Sequence, residues 1–307
     1  MPIPGEFNLN EGVFGGRDTT ERASAIAAQI KASDTDVVVL NEVFSEEARE
    51  VFIEQLADQG DYDSYVSLLR GPALKKLDMD ELNGMLGGAI ADAGWVPPVP
   101  GGVIPLAQSA NSGLMIFSKY PFLKFDAADD PPMEAYEAEV KNLGLPMPAS
   151  DFVAFKLFEQ CGDFDCFASK GVGMVRIAGS PHNYNVAFTH MQADASGVDG
   201  QAVRASQMGT IRELIEGSLT PDQRTEEWVI VAGDVNVTGQ GAEWDKLFDP
   251  SVSPGGFYAC GDDVVCPYDE STESGSLLAD LWGFETSPTD PGLTSSDGKR
   301  LDYILAN

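Results

Sequence analysis

The sequence predicts a layered α/β domain whose functional residues lie along one rim of its sheets. Residues 1–60 alternate strand, helix, strand and helix, and short apolar runs typical of strands outnumber helical patterns in the rest of the chain. Polar side chains follow directly after several of these runs. Because the polar residues are spread from Asn8 to Asp302, one domain over residues 1–307 fits the pattern better than two.

The N-terminal part of the chain predicts a helix, a buried strand and a second helix, in that order. Asp18 offers an N-cap, and the apolar residues after it recur at helical spacing to about Ala32. The run VVVL at 37–40 is typical of a buried strand and ends shortly before Glu42. Ser45 is expected to cap the second helix because a hydroxyl can accept the first unpaired backbone N–H groups.

The remainder of the chain predicts further strands, one long helix and two irregular segments. Segment 71–111 begins as a helix and becomes a Gly/Pro-rich apolar loop, and 126–150 is acidic, Pro-rich and expected to be a surface excursion. The apolar loop is either a lid or lipid-contacting segment, or an ordinary insertion packed on the domain. Strands are expected in 112–118, 152–158, 170–177, 184–189 and 300–306, and an amphipathic helix in 202–217.

The sequence EWVIVAGDVNV at 227–237 contains the most informative of the predicted strands. Its apolar, β-branched half predicts a buried strand that ends in glycine. Because side chains alternate along a strand, Asp234 and Asn236 should point to one face and the valines beside them to the other. Two interpretations are open for the polar pair: a turn with its own hydrogen bonds, or ligands for a metal ion or phosphate.

The charge of the chain disfavours one class of function. The net charge is −30, from 19 basic and 49 acidic residues, and the acidic excess is spread along the chain. Non-specific nucleic-acid binders show a basic surface, which this sequence lacks, so we expect no nucleic-acid partner. A salt-rich habitat would also explain the acidity. The acidic loops 126–150 and 249–275 are expected to be solvated surface, with a Ca²⁺ site as the alternative.

The sequence has no feature of a membrane-spanning chain and points instead to an oxidising compartment. No run of 18 apolar residues occurs, and the N-terminal sequence MPIPGEFNLN has neither a basic nor an apolar signal region. The four cysteines form two local pairs, Cys161/Cys166 and Cys260/Cys266, in Gly/Asp-rich loops. Two short disulfides fit this spacing better than zinc ligands, with four reduced thiols as the alternative. The disulfide interpretation predicts a secreted or periplasmic protein.

The candidate site residues share a position at or near the ends of predicted strands. Glu42 and Asn8 offer oxygen ligands of the kind that Mg²⁺ takes together with water and substrate phosphate. His190 could donate a hydrogen bond to that phosphate, Asp234 could orient an attacking water, and Asn236 could hold a phosphoryl oxygen. The full set is Asn8, Glu42, His190, Asp234, Asn236 and Asp302.

The motifs in this chain resemble those of a known family, in the same order. LNEVF, SGLMIFSKYPF, SKGVGMVRI, FTHMQA, GDVNV and RLDYILA are similar to the ordered motifs of the endonuclease/exonuclease/phosphatase superfamily. Four pieces within them, Asn-Glu-Val-Phe, Ser-Lys-Tyr-Pro, Ser-Lys-Gly and Thr-His-Met-Gln-Ala, most resemble its secreted bacterial neutral sphingomyelinase branch. Each motif alone is weak, but six in order over residues 8–306 are strong.

The resemblance implies a four-layer α/β sandwich, with two packed mixed β-sheets flanked by helices. It also implies a Mg²⁺-dependent hydrolase, with Mn²⁺ or Co²⁺ as alternative ions, that cleaves sphingomyelin to ceramide and phosphocholine. The expected partner is a phospholipid at a membrane surface, and the expected state is a monomer. The alternative functions are a nuclease or a sugar- or inositol-phosphate phosphatase on the same fold, or a non-catalytic binding domain.

The resemblance also implies a role for each candidate residue. Glu42 would be the principal metal ligand, with Asn8 assisting. His190 would contact the phosphate, and Asp234 and Asn236 would position water and phosphate. Asp302, in Leu-Asp-Tyr, would support a catalytic histidine from behind. Lys170 and Arg204 are weaker matches, for which structural roles are equally well supported.

One family motif is not found in the sequence. The family ends in a Ser-Asp-His strand whose histidine is the general base, whereas Asp297 of this chain is followed by Gly298 and no such motif precedes Asn307. Either this strand lies outside the sequence or the enzyme is impaired. With the sequence as it stands, we expect hydrolysis to be slower by about 10²–10⁴-fold or more, because a general base typically contributes a factor of this size.

Overall fold

The structure, a computed structural model, shows the α/β architecture that the sequence predicts. It describes residues 19–69, 111–125, 138–142, 151–162, 165–166, 168–195, 197–237, 279–280 and 302–306. These residues form two β-sheets with helices on their outer faces. The predicted apolar loop 71–111, the second cysteine pair and Asn8 lie outside the described residues, apart from position 111.

Four helices and eleven strands are formed by the described residues. The helices are α1 (Thr19–Ser33), α2 (Glu46–Phe52, continued by a π-helical turn at Ile53–Asp58), α3 (Gly200–Ser218) and α4 (Pro221–Glu226). The strands are β1 (Val37–Leu40), β2 (Ser64–Leu69), β3 (Met115–Ser118), β4 (Phe122–Leu123), β5 (Ala138–Asn142), β6 (Val153–Leu157), β7 (Gly171–Ile177), β8 (Tyr184–His190), β9 (Trp228–Asp234), β10 (Ala279–Asp280) and β11 (Asp302–Ala306).

The two sheets differ in strand direction. The first has the order β1-β3-β2-β5, and each of its pairings is antiparallel. The second has the order β10-β11-β9-β8-β7-β4, with β6 also paired to β7. This second sheet is mixed, because β8 and β9 run parallel while its other pairings are antiparallel. The parallel pair therefore brings the carboxyl ends of β8 and β9 to the same edge.

Three layers of apolar side chains separate the four layers of secondary structure. Between α1, α2 and the first sheet, Phe52 and Leu56 pack with Phe117. Ile116 and Phe188 belong to the layer between the sheets. Alternation along β3 explains this division, because neighbouring residues of one strand face opposite layers. The third layer, between the second sheet and α3, includes Met174, Met208, Ile211, Leu214 and Val231.

Local sequence signals account for where the helices begin. The Ser45 hydroxyl accepts a hydrogen bond from the Ala48 backbone N–H at 3.1 Å, as the sequence predicted. At α4, Thr220 and Gln223 form a reciprocal capping box. The long helix predicted at 202–217 is observed as α3, two residues longer at its start and one at its end.

Two strands of the first sheet were not predicted. β2 has four buried residues in a row and therefore lacks a clear alternating pattern. β5 lies within 126–150, where a surface excursion was predicted, and that prediction is wrong for residues 138–142. The Asn142 side chain there is buried and accepts from the Phe122 N–H and donates to the Phe122 carbonyl, each at 2.9 Å. Pairing with β2 thus decides the structure of an acidic segment with no apolar pattern.

None of the helices within the described part of the chain is both long enough and apolar enough to cross a membrane.

A buried ion pair holds the ends of β7 and β9 together at the edge remote from His190. Glu227 accepts hydrogen bonds from Arg176 at 2.8 Å and from the Asn183 and Asn185 amides at 2.9 Å each. Burial alone raises the pKa of Glu227, but the two amide donors and the Arg176 charge outweigh it and hold the pKa below its ordinary value.

We predict that Glu227→Gln lowers stability at neutral pH and flattens its acid dependence. Because the pKa of Glu227 is depressed in the folded state, its contribution is present above the unfolded value of about 4.5 and is lost as pH falls. Urea unfolding at pH 7 and pH 3.5 should therefore show a difference between variant and wild type that shrinks in acid.

The matched control is Glu213→Gln. Glu213 also pairs with a base, Lys156, but its side chain is 64% exposed, and an exposed pair contributes about 0–1 kcal/mol. The control should unfold almost like the wild type at both pH values. Equal losses of stability for Glu227→Gln at pH 7 and pH 3.5 would contradict the depressed pKa of Glu227 in the folded state.

Candidate active site

The ends of three strands meet at the rim of the second sheet. In the parallel pair, His190 of β8 lies opposite Asp234 of β9. On the other side of β9, Asp302 of β11 lies opposite Asp234 in the antiparallel register. The His190 Nε2 and Asp234 Oδ2 atoms are 3.8 Å apart. Three of the predicted site residues are therefore adjacent in the sheet, although they are separated by long stretches of sequence.

β8 and β9 leave no room for a side chain between them just before this end. Gly233 has φ 134°, a conformation that favours glycine, and a Cβ built there would lie 2.0 Å from the Thr189 carbonyl oxygen. A side chain at this position would push the two strands apart. The glycine that the sequence placed at the end of the strand thus permits the His190–Asp234 contact.

Both interpretations of the Asp234–Asn236 pair are compatible with the geometry. The Asn236 backbone N–H donates to Asp234 Oδ1 at 2.8 Å, which is the predicted turn with its own hydrogen bond. Asn236 has φ 54°, and its amide nitrogen donates to the Met191 carbonyl at 3.0 Å. Val235 and Val237 are buried against α3, as the alternation predicted. The turn therefore places the polar pair at the rim beside His190.

His190 is buried and held in its neutral form. Its side chain is 5% exposed, and its Nε2 lies 3.2 Å from Lys170 Nζ. Burial, and secondarily the positive charge of Lys170, lowers the pKa of His190 well below its ordinary value. The Nδ1 atom has no hydrogen-bond partner among the described residues. A buried polar atom of this kind is available to a ligand that enters the site.

Lys170 provides a buried cation beside His190. Its side chain is 4% exposed, its Nζ donates to the Met191 carbonyl at 3.0 Å, and it lies 2.8 Å from Asp165 Oδ1. The other Asp165 oxygen accepts from the Ala193 N–H at 2.8 Å. Lys170 is thus fixed by two oxygen partners and sits within reach of the histidine ring.

The first cysteine pair forms the predicted disulfide, and the loop it closes carries Asp165. The Cys161–Cys166 bridge spans five positions of sequence. Gln192 anchors this loop to the segment after β8, since its side chain accepts from the Gly162 N–H at 2.7 Å and donates to the Gly162 carbonyl at 3.2 Å. The disulfide loop therefore supports Lys170 through Asp165.

Glu42 reaches the same rim from the first sheet. It follows β1 in a left-handed conformation with φ 62°, and it is exposed. The next residue, Val43, donates its N–H to the Gly113 carbonyl at 2.9 Å. Just before Glu42, the Asn41 carboxamide, oriented so that both its ends are satisfied, accepts from the Asp234 N–H at 2.9 Å and donates to the Thr189 carbonyl at 3.3 Å. Asn41 thus connects the Glu42 turn to β8 and β9.

The structure brings together most of the residues that the sequence predicted. His190 lies 3.8 Å from Asp234, and Asp234 accepts from the Asn236 N–H. Glu42 follows Asn41, the residue that binds Asp234. For Asp302 the structure describes the backbone register only. Asn8 lies outside the described residues.

Sequence reasoning missed Asn41, Asp165 and Asn111 and left the role of Lys170 open. Asn41 directly follows β1, and its place as one more polar residue at a strand end is the signal that could have identified it. Asn111, 3% exposed, donates to the Phe44 carbonyl at 3.1 Å and so supports the Glu42 turn. Asp165 lies in the cysteine loop, five positions before its partner Lys170, and this short separation in sequence was the available signal.

The donors at the rim fit a Mg²⁺ ion in kind. This ion takes one or two protein carboxylates and completes its shell with waters and substrate phosphate. Glu42 supplies such a carboxylate on an exposed turn. Across the described ranges, no group of three or more His, Cys, Asp or Glu side chains is placed to hold a metal ion.

Comparison with known proteins assigns the family. The model of the Endonuclease/Exonuclease/phosphatase family matches residues 5–307. The chain belongs to this family. Its rim of strand ends, with Glu42 on one sheet and His190 and Asp234 on the other, is therefore the candidate active site of an Endonuclease/Exonuclease/phosphatase family protein.

The chain is similar to bacterial sphingomyelinases in sequence and in fold. It is 25% identical over 236 residues to a sphingomyelinase C of Leptospira interrogans, covering 76% of this chain and 33% of that protein. The chain thus spans a third of this relative's length.

Two of the solved structures that share the fold are bacterial proteins. The sphingomyelinase C of Streptomyces griseocarneus has a TM-score of 0.50 at 19% identity, covering 95% of this chain and 77% of its own. A variant of Staphylococcus aureus beta toxin with bound magnesium ions has a TM-score of 0.51 at 18% identity, covering 98% of this chain and 79% of the toxin chain.

We predict that Gly233→Ala destabilises the protein by about 3 kcal/mol or more, because it adds backbone strain and a collision with the Thr189 carbonyl. Urea unfolding monitored by tryptophan fluorescence measures the loss.

Gly60→Ala serves as the control for backbone strain alone. Gly60 has φ 84°, but nothing lies within 4 Å of a Cβ built there. We expect this control to cost about 1–2 kcal/mol. Equal losses in the two variants would show that the close approach of β8 and β9 contributes nothing.

We predict that Lys170→Met raises the pKa of His190. Loss of the ammonium charge removes one of the two causes of the depressed pKa, and the Asp165 carboxylate left behind acts in the same direction. Proton NMR titration of the ring signals measures this shift.

The same variant should change the pH dependence of stability. Because the fold holds His190 neutral, wild-type stability is full above the unfolded value of about 6.5 and falls as pH drops below it. Raising the pKa of His190 in the folded state makes this loss of stability at low pH smaller. The double variant Lys170→Met/Asp165→Asn, which removes both charges, controls for the unpaired carboxylate. If the titration of His190 were unchanged in both variants, the proposed effect of the Lys170–His190 contact on the histidine would be contradicted.

Proposed function

We propose that this protein is a divalent-metal-dependent phosphodiesterase that hydrolyses sphingomyelin to ceramide and phosphocholine. The observation that carries the proposal is the convergence of Glu42, His190, Asp234 and Asn236 at one rim, from two different sheets. Family membership and the similarity to sphingomyelinases support the reaction class and the substrate.

The proposed binding site for the phosphate lies beside His190. The neutral imidazole has an Nδ1 without a partner among the described residues, and a neutral ring can donate one hydrogen bond to a phosphoryl oxygen. Lys170 adds a buried positive charge 3.2 Å from the ring. Positive charge and preorganised donors stabilise the negative charge that accumulates on the transferred phosphoryl group.

Asp234 and Asn236 are proposed to position the attacking water and the phosphate. Asp234 accepts a hydrogen bond from the Asn236 N–H through Oδ1, while its Oδ2 faces His190 at 3.8 Å. The carboxylate can therefore accept a hydrogen bond from the water and orient the water oxygen toward phosphorus. Asn236 uses one amide hydrogen on the Met191 carbonyl and keeps a second for a phosphoryl oxygen.

The proposed role of Glu42 is to hold the metal ion, with Asn8 as the second ligand. Bound at this position, Mg²⁺ supplies positive charge that neutralises the phosphoryl oxygens. In the net reaction the water oxygen bonds to phosphorus, the bond from phosphorus to the ceramide oxygen breaks, and ceramide takes up a proton from the water.

Sphingomyelin is also compatible with the charge of the chain. A net charge of −30 would be repelled by an anionic membrane surface, whereas the sphingomyelin headgroup is zwitterionic. The Cys161–Cys166 disulfide fits a protein that works in an oxidising compartment, outside the cytosol.

We predict that Glu42→Gln lowers phosphocholine release from sphingomyelin vesicles by about 100-fold or more, the scale on which loss of one preorganised group acts. Mg²⁺ should support the wild-type reaction and EDTA should abolish it. Glu47→Gln is the matched control, because it removes an equal charge from an exposed position on α2, close to Glu42. This control should retain wild-type turnover.

Tests with other substrates distinguish this function from a nuclease or a sugar- or inositol-phosphate phosphatase. Plasmid DNA, inositol phosphates and p-nitrophenyl phosphate are assayed under the same conditions. Hydrolysis of any of these with none of sphingomyelin would overturn the substrate assignment. Activity that survives both EDTA and Glu42→Gln would overturn the metal-dependent mechanism.

A further inference from the structure

We propose that Asn41 is a positioning residue that sets the distance between Glu42 and Asp234. This inference rests on the proposed function, because it concerns the site at which that function places the metal ion and the water. Asn41 itself would touch neither. Its carboxamide acts on the two residues that do, by joining the end of one sheet to the end of the other.

The bridge connects two different sheets. Asn41 follows β1 of the first sheet, whereas its partners, Thr189 and Asp234, belong to β8 and β9 of the second. The side chain accepts from the Asp234 N–H at 2.9 Å and donates to the Thr189 carbonyl at 3.3 Å. One planar carboxamide thus holds the neighbouring strand ends that carry His190 and Asp234.

The Thr189 carbonyl that receives this bond is also the atom that faces Gly233. A Cβ on Gly233 would lie 2.0 Å from it. The close approach of β8 and β9 and the Asn41 bridge therefore involve the same carbonyl oxygen. A change in either one is expected to move the other.

Among the described residues, β1 lies at the edge of the first sheet. Its neighbour there is β3, with Leu40 opposite Met115 at the last pair, and no described strand pairs with its other edge. Asn41 adds a link from the end of β1 to the second sheet.

Glu42 is therefore held from both directions. On its N-terminal side Asn41 binds β8 and β9, and on its C-terminal side the Val43 N–H bonds to the Gly113 carbonyl at 2.9 Å. Between these anchors, Glu42 adopts φ 62°, which is uncommon for a residue with a side chain and persists where surrounding contacts determine it. Loss of the Asn41 anchor would allow the Glu42 carboxylate to shift relative to Asp234.

A matched control exists elsewhere in the same fold. Asn142 is a second carboxamide that joins the two sheets, since it lies in β5 and bonds the Phe122 N–H and carbonyl of β4; it is buried, whereas Asn41 is half-buried. Phe122 pairs with Ile177, at the end of β7 remote from His190. Asn142→Ala therefore removes an equivalent bridge away from the candidate site.

The test compares Asn41→Ala with Asn142→Ala by three measurements. Mn²⁺ binding followed by electron paramagnetic resonance reports the metal site without any turnover. Urea unfolding reports the structural cost, and kcat and KM for sphingomyelin vesicles report the reaction. Asn41→Ser is measured as well, because it retains a polar side chain but is too short to bridge, and it substitutes if Asn41→Ala does not fold.

We expect both asparagine variants to lower the urea midpoint, but only the Asn41 variants to weaken Mn²⁺ binding. The expected weakening is about 10- to 100-fold, the range for residues that orient metal ligands without touching the metal. The Asn41 variants should also lower kcat more than they change KM. Wild-type Mn²⁺ affinity in Asn41→Ala or Asn41→Ser, with a midpoint lowered as in Asn142→Ala, would overturn the proposal.

The failure of this inference is distinguishable from failure of the proposed function. If the wild type binds Mn²⁺ through Glu42 but does not hydrolyse sphingomyelin, the proposed substrate is wrong, and weakened binding in the Asn41 variants still supports the positioning role. If Glu42→Gln binds Mn²⁺ as tightly as the wild type, the positioning proposal is overturned whatever the activity is.

Discussion

The close contact between β8 and β9 at Gly233 is the constraint on which the rest of the candidate site depends. A residue with a side chain at this position would collide with the Thr189 carbonyl. The collision would separate β8 from β9 at the edge of the sheet that carries the candidate site. The contact places His190 and Asp234 opposite each other. It also presents the Thr189 carbonyl to Asn41, and through Asn41 the rim of the second sheet is joined to the turn that carries Glu42.

Burial gives this rim its electrostatic character. A histidine and a lysine are both almost fully buried, 3.2 Å apart, and the ammonium is compensated by Asp165 from the disulfide loop. This arrangement keeps the imidazole neutral while leaving positive charge next to it. The chain as a whole carries a net charge of −30, and the buried Lys170 ammonium provides a local positive charge that can attract an anionic ligand.

Much of the fold follows from local pattern, and part of it does not. β1, α1, β8 and α3 were predictable because their apolar residues recur with the period of a strand or a helix, and Ser45 supplies a recognisable cap. β5 was not predictable, since an acidic segment becomes a strand there only by pairing with β2. Among the site residues, His190, Asp234 and Asn236 were found because each follows an apolar run and matches a motif of the family.

The sequence by itself determined the family, the layered α/β class, and the strand-end residues that carry the candidate chemistry. These features are encoded in neighbouring residues, where periodicity and motif order can be recognised. Only the tertiary structure decided that Asn41 contacts Asp234, that Asp165 pairs with Lys170, and that His190 is held neutral. Those properties depend on distances and burial between residues of different elements, and packing of the two sheets sets both.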